Sequence, residues 1–156
     1  ERLNNPTKWT KDILSHYISP SRTICSVIAS KSVGFGGYIS TIRFLDSNID
    51  AKHNVETLKL SVPQTIKLDG ITGMHVILGD NSFGQMKTEE KLHRSSQGND
   101  DQVISQAIII EGLNYLALKK AIDSLKEEHS LIENENLLVN YYNCQHILTK
   151  QDLLGQ

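Results

Sequence analysis

The sequence of 156 residues is poor in cysteine, in proline and in long apolar runs, and each scarcity excludes a class of protein. Two well-separated cysteines, Cys25 and Cys144, indicate neither a disulfide framework nor a Cys-X-X-Cys metal site. Three prolines and ten glycines are too few for a collagen-like or low-complexity chain. The longest apolar run, Ala107 to Ile110, is far shorter than the roughly 20 residues that cross a bilayer. We therefore expect a folded chain without a membrane segment.

Charge of one sign is also missing, because 16 basic and 18 acidic side chains nearly cancel to a net charge of −2. No strong field therefore favours nucleic acid or an anionic membrane as a partner. The six histidines lack the paired spacing of a metal site, so no metal is expected in this chain. The first residues carry no apolar signal-like segment. We expect a cytoplasmic setting and a single domain over residues 1–156.

Apolar periodicity predicts an α+β fold with about five antiparallel strands and one dominant helix. A first helix is expected from Thr10 to Ile18, and a long helix with an apolar stripe from Val103 to Glu128. Ile71 to Leu78 is either a strand or a helical turn, and the polar residues from Gly79 to Gly98 are expected to form a loop. A three-stranded meander is expected from Thr23 to Ala29, Gly37 to Leu45 and Val55 to Val62. Two further strands are expected from Leu137 to Tyr142 and from Cys144 to Thr149.

A glycine-rich turn lies between the first two predicted strands, at Gly34, Phe35, Gly36 and Gly37. Glycines let backbone N–H groups approach a phosphate closely, since no Cβ intervenes. Hairpin turns also need glycine for positive φ, and this structural interpretation is the more economical one for the turn alone. The turn is therefore a candidate anion site only in combination with other residues.

Lys59 and Glu111 are the two charged residues that the predicted elements place most informatively. Lys59 falls in the third predicted strand, where it either faces solvent or holds an ammonium beside a phosphate. Glu111 falls on the apolar stripe of the predicted long helix, where a carboxylate is costly unless a cation or hydrogen bonds meet it. Alternatively, Glu111 lies at the edge of the stripe and reaches water.

The order of these features resembles the amino-terminal lobe of a protein kinase. Gly36 to Ile42 resembles the nucleotide loop of the ecdysteroid kinase-like (choline-kinase-like, CHK) family, and Glu111 to Leu118 resembles its helix motif. Ile147 to Gly155 is similar to the family's strand and hinge, with Gln151 where the family has glutamate. Lys59 falls where the family has its lysine strand, although 52 positions separate it from Glu111. The resemblance implies a nucleotide-binding lobe that ends at the hinge, with the carboxy-terminal lobe absent from this chain.

The resemblance further implies a small-molecule kinase that transfers a phosphoryl group from ATP to a hydroxyl of an ecdysteroid- or choline-like metabolite. ATP and Mg²⁺ are the implied cofactors. The metal ligands and acceptor contacts are expected in the carboxy-terminal lobe, which is expected to pack against this one. This chain alone is therefore expected to be inactive. The resemblance implies that Lys59 would contact the α- and β-phosphates and be oriented by Glu111. The phosphates would be covered by Gly34, Gly36 and Gly37, with Ser40 adding a hydroxyl. The adenine pocket would be lined by Gln151, Asp152 and Leu153.

Two alternatives from other classes stay open at this point. A degenerate lobe or a free-standing α+β module would bind a protein partner and no nucleotide, leaving Lys59 in solvent. A secreted or host-targeted effector with an unrelated α+β fold is the third hypothesis. The kinase hypothesis differs from both because it demands that Lys59 and Glu111 meet within salt-bridge distance between the sheet and the helix.

Overall fold

The computed structural model describes residues 7–14, 16, 23–44, 51–80, 104–129 and 137–146. They form eight elements in chain order. The helices and strands are α1 (Lys8–Leu14), β1 (Cys25–Ser32), β2 (Tyr38–Phe44), α2 (Ala51–Thr65), β3 (Ile71–Gly79), β4 (Gln106–Gly112), α3 (Tyr115–Glu128) and β5 (Leu137–Asn143).

The five strands form one antiparallel sheet in the order β1-β3-β4-β2-β5. The predicted α+β class with a five-stranded antiparallel sheet is therefore confirmed. Helix α2 connects β2 to β3, with β4 between those strands, and α3 connects β4 to β5, with β2 between them. Two interlocked split βαβ units of this kind make the ferredoxin-like arrangement, to which β1 adds a fifth strand beside β3.

The predicted three-stranded meander is wrong, because β3 and β4 lie between β1 and β2 and residues 55–62 are helical. The alternation of Leu58, Leu60 and Val62 fits a strand, but burial follows the helical period. Val55, Leu58 and Val62 are buried, whereas Leu60 is 77% exposed. Helix α2 buries this i, i+3, i+7 stripe against the sheet, and tertiary packing thus selected one of two patterns that the same residues allow.

The predicted long helix over residues 103–128 is also wrong in its first half, which forms strand β4. Three consecutive isoleucines end this strand's apolar run, and β-branched side chains favour the sheet. Helix α3 begins after Asn114, whose side chain accepts a hydrogen bond from the Ala117 N–H at 2.9 Å. Strand and helix therefore share one apolar stretch that Asn114 divides. Two helices of similar length, α2 and α3, pack on the sheet instead of one.

The remaining predicted elements differ in their outcomes. Strands β1, β2 and β5 are confirmed, and residues 71–78 form a strand, not a helical turn. Helix α1 starts two residues before the predicted helix. Residues 144–146 are not a strand, and 147–149 lie outside the described residues, as does all but the start of the predicted loop at 79–98.

The core lies between α2, α3 and one face of the sheet, the core face. Its buried side chains are mostly aliphatic and come from β2, β3, β4 and both helices. They include Ile42, Phe44, Leu58, Met74, Val76, Ile108, Ile110, Leu118, Ile122 and Leu125. Alternate residues of the same strands point to the opposite face, which we call the second face. No helix among the described residues is long and apolar enough to span a membrane.

Candidate functional site: a polar chain and two sheet edges

Lys59 lies on helix α2 and pairs with its own helix. Its Nζ donates a hydrogen bond to Glu56 Oε1 at 2.6 Å, an i, i+3 contact between partly exposed side chains. Such surface pairs contribute little, about 0–1 kcal/mol. The prediction that Lys59 lies in a strand is therefore wrong, and its ammonium group has a local carboxylate partner.

Glu111 lies on strand β4 and not on a helix. Its neighbour Ile110 is fully buried in the core face, so alternation directs Glu111 to the second face. Helix α2, which carries Lys59, packs on the core face. The predicted Lys59–Glu111 ion pair is thus not formed, because the sheet separates the two groups.

The glycines of the predicted nucleotide loop have different surroundings. A Cβ on Gly36 would lie 2.6 Å from the backbone of Gly112 and 2.8 Å from Thr72 Oγ1, so this glycine is required by close packing against the sheet. A Cβ on Gly34 or Gly37 would meet nothing within 4 Å. The structure therefore explains Gly36 without a ligand.

Of the other predicted nucleotide contacts, only Ser40 lies within the described residues. Ser40 is fully buried on the core face, and its hydroxyl has no hydrogen-bond partner among the described residues. Gln151, Asp152 and Leu153 lie outside the described residues. Among the described members of the predicted site, Lys59 and Glu111 are not brought together.

A chain of hydrogen bonds crosses three strands on the second face and was not predicted from the sequence. Ser30 Oγ lies 2.8 Å from His75 Nδ1, and His75 Nε2 lies 3.2 Å from Glu111 Oε1. An ionised carboxylate only accepts, so the Nε2–H of His75 donates to Glu111. In the neutral ring Nδ1 then accepts, and the Ser30 hydroxyl donates to it. This polar chain, Ser30–His75–Glu111, explains why a carboxylate is tolerated on an apolar strand.

The sequence contained a signal for one member of the polar chain. In a strand over residues 71–78, His75 points to the other face of the sheet from its neighbours Met74 and Val76, which are apolar and fill the core face. Cross-strand register decides the rest, because Ser30 is paired with His75. Register between strands 45 residues apart is not visible in a local pattern.

The outer edge of β5 is the second notable feature. All seven residues of β5 pair with β2 in an uninterrupted register. The sequence of the strand, LLVNYYN, contains no charge, no proline and no glycine. Among the described residues no strand pairs with the other side of β5, since it ends the sheet. An edge of this kind presents free backbone groups to another chain.

The direction of the β5 backbone groups follows from one hydrogen bond. The Cys144 N–H donates to the Gly37 carbonyl at 2.8 Å, one step beyond the ladder. In an antiparallel pair, alternate residues point their N–H and C=O towards the partner. Asn140 and Tyr142 therefore face β2, whereas Val139, Tyr141 and Asn143 direct their backbone groups outward.

Side chains beside this edge extend its apolar surface. The rings of Tyr115 on α3 and Tyr141 on β5 lie 4.7 Å apart between centroids. Tyr115 and Tyr142 are each about half exposed. Burial raises the pKa of the Tyr141 phenol above 10.0, and the negative charges of Tyr115 and Asp123 raise it further. On the second face, Asn140 Oδ1 accepts from Arg43 at 2.7 Å.

An open depression of about 450 Å³ lies where α3 begins. It is lined by Leu68, Asp69, Gly70, Asn114, Leu116, Ala117 and Lys120. Its charged residues have opposite signs, and the Asn114 side chain is engaged as the helix cap. No group of three or more histidine, cysteine or acidic residues in the described ranges could hold a metal ion.

Neither the scan of protein families nor the search of curated proteins finds a match to this chain. The function is therefore argued from the geometry of the β5 edge and of the polar chain.

Proposed function

We propose that this chain is a protein-interaction module that binds an extended segment of a partner along the outer edge of β5. This is the non-enzymatic alternative that the sequence left open. The observation that carries it is the uninterrupted, uncharged seven-residue edge with outward backbone groups at Val139, Tyr141 and Asn143. Strand addition uses such groups for affinity and alternate side chains for specificity.

The proposal is supported by the fact that proteins normally protect the edge strands of their sheets against pairing with other chains. Proteins usually guard an edge with charges, proline, a bulge or a covering element, because an unguarded edge promotes association. β5 shows none of the first three. The half-exposed side chains at this edge include Tyr115 and Tyr142, and aromatic residues are enriched in protein interfaces.

The kinase hypothesis has lost the contact on which it depended. ATP binding would need another arrangement, because Lys59 pairs with Glu56 and Glu111 pairs with His75. We expect titration with Mg-ATP to give no saturable binding, and Lys59→Ala to behave as the wild type. Saturable binding that Lys59→Ala weakens at least tenfold would restore the kinase hypothesis.

Selection from a displayed library of random heptapeptides tests strand addition directly. We expect enriched peptides to alternate apolar residues and to bind the wild type but not Val139→Pro. Proline removes an N–H that points outward, so β2 pairing is retained. The matched control is Val27→Pro on β1, where the Asp80 N–H to Ile24 carbonyl bond implies that the Val27 N–H also points outward.

The selection has a clear negative outcome. Peptides that bind the wild type and Val139→Pro equally would place binding elsewhere, and the proposal would fail. Circular dichroism and thermal melts of both proline variants establish that each retains the fold. The two variants thus compare the same substitution at opposite edges of one sheet.

The polar chain favours a second candidate function, ester hydrolysis in which the acyl group is transferred to the Ser30 hydroxyl and then to water. Nucleophile, base and orienting carboxylate within hydrogen-bond distance are the requirements for activating a hydroxyl. His75 would accept the Ser30 proton as Oγ attacks an ester carbonyl; the alcohol would leave with that proton, and water would then release the acid. A fluorophosphonate probe tests this. Labelling lost in Ser30→Ala and His75→Gln would support it, and no labelling of the wild type would exclude it.

A further inference from the structure

We propose that the partner at the β5 edge is a second copy of this chain, joined antiparallel about a two-fold axis that passes between the two Asn140 residues. The inference rests on the proposed function, because it requires that β5 accept a strand. It adds the identity of the strand and the register of pairing.

Backbone geometry favours this register. Pairing across an axis at Asn140 sets Val139 against Tyr141 and Leu137 against Asn143 of the other copy. These residues direct their N–H and C=O groups outward, so the pairs are of the hydrogen-bonded type. All seven residues of β5 are used. A shift of the axis to Tyr141 or Val139 would leave the two ends of the strand unpaired.

Side-chain pairing favours the same register. On the second face, Leu138 would lie opposite Tyr142, and on the core face Val139 would lie opposite Tyr141. Aromatic residues beside aliphatic or β-branched ones are favourable cross-strand pairs. The strand carries no charge, so no like charges face each other across the axis. An isologous contact needs a surface complementary to itself, and β5 meets that condition.

The two Asn140 residues face each other across the axis without losing their own contacts. Each Oδ1 accepts from Arg43 of its own copy and keeps a second lone pair, to which an amide N–H of the facing Asn140 can donate. Its backbone groups face β2, so the two Asn140 residues would form a non-hydrogen-bonded pair with Cα atoms about 4.5 Å apart. That separation lies within the range of a disulfide.

A cysteine cross-link at the axis tests the register. We would place Asn140→Cys in the full chain with Cys25→Ser and Cys144→Ser, oxidise it, and analyse it without reductant. We expect most of the protein as a covalent dimer. Val139→Cys in the same background is the matched control and should give no covalent dimer, because its partner across the axis is Tyr141. Cross-linking of Tyr141→Cys instead would overturn the register.

Light scattering across a range of protein concentrations tests the association itself. We expect a monomer–dimer equilibrium for the wild type. Asn140→Asp should raise the dimer dissociation constant roughly fivefold, since two carboxylates would face each other while each keeps its Arg43. A monomer at all concentrations with no cross-link at Asn140 would overturn the inference. In that event, peptides that bind the wild type but not Val139→Pro would still support strand addition at β5 as the proposed function. If no such peptides are found, the proposed function is also wrong.

Discussion

The two edges of the sheet differ in regularity and in charge, two properties that control strand association. β1 contains a register shift between Val27 and Ala29, a lysine at Lys31 and several exposed serines. β5 is regular, uncharged and flanked by tyrosines. A bulge and an edge lysine are known guards against strand addition. One sheet thus has a guarded edge and an unguarded one, which indicates that the difference has a use.

The largest expected effect on dimer formation comes from introducing a lysine into β5, the edge that has none. Tyr142→Lys places a charge on β5 at a half-exposed position, whereas Val27→Lys makes a similar change on β1. We expect Tyr142→Lys to raise the dimer dissociation constant at least tenfold, since the Leu138 contact across the axis is lost. Val27→Lys should leave it unchanged. Equal effects in sedimentation experiments would break the comparison of the edges.

Amide hydrogen exchange sharpens the comparison without a substitution. The outward amides of Val139 and Tyr141 should exchange several-fold more slowly at high protein concentration than at low, because pairing protects them. The outward amide of Val27 should show no such dependence. Concentration-independent exchange at all three amides, measured by NMR, would contradict association at β5.

The polar chain should stabilise the guarded edge by a smaller amount. Ser30→Ala removes the hydroxyl that links β1 to His75 on β3. We expect it to lower the free energy of unfolding by about 0.5–1.5 kcal/mol, the usual contribution of one hydrogen bond. Ser26→Ala, at another exposed position of β1, is the control and should cost less than 0.5 kcal/mol in urea unfolding. The same loss in both variants would deny the Ser30 contact a specific role.

The smallest effect concerns the Tyr141 phenol beside the unguarded edge. Its pKa is raised above 10.0 by burial and by the negative charges of Tyr115 and Asp123. The neutral phenol therefore favours the folded state below pH 10, and this contribution is lost as pH rises through the raised pKa. Asp123→Asn should shift the pKa back towards 10.0, as NMR of labelled tyrosine would show. An unchanged pKa would mean that Asp123 does not contribute and that burial and Tyr115 are the causes.

Local patterns sufficed where one period dominated. Residues 38–44 alternate without ambiguity, and β2 formed where the alternation predicted it. Residues 137–143 formed strand β5 where a strand was predicted, at residues rich in aromatic and aliphatic side chains. By contrast, residues 55–62 satisfy both the strand and the helix period, and within residues 103–128 only Leu113 and Asn114 separate a strand from a helix. Sequence reasoning failed at these places because two structures compete locally and packing decides between them.

The predicted site failed for a related reason. Lys59 and Glu111 were assigned to the wrong kinds of element, so their side chains were expected on facing surfaces. A change of period moves a residue to another face. Ser30, His75 and Tyr141 acquired their roles through register between strands that lie far apart in the chain. No local window contains that information.

The sequence by itself determined the α+β class, the positions of three strands and the neutral character of β5, because these follow from composition and short-range periodicity. Only the tertiary structure decided which strands are neighbours, that β5 lies at an edge, and that Glu111 meets His75 and not Lys59. The physical reason is that strand order and register depend on how the helices cover one face of the sheet. That choice minimises exposed apolar area over the whole domain, and no single segment specifies it.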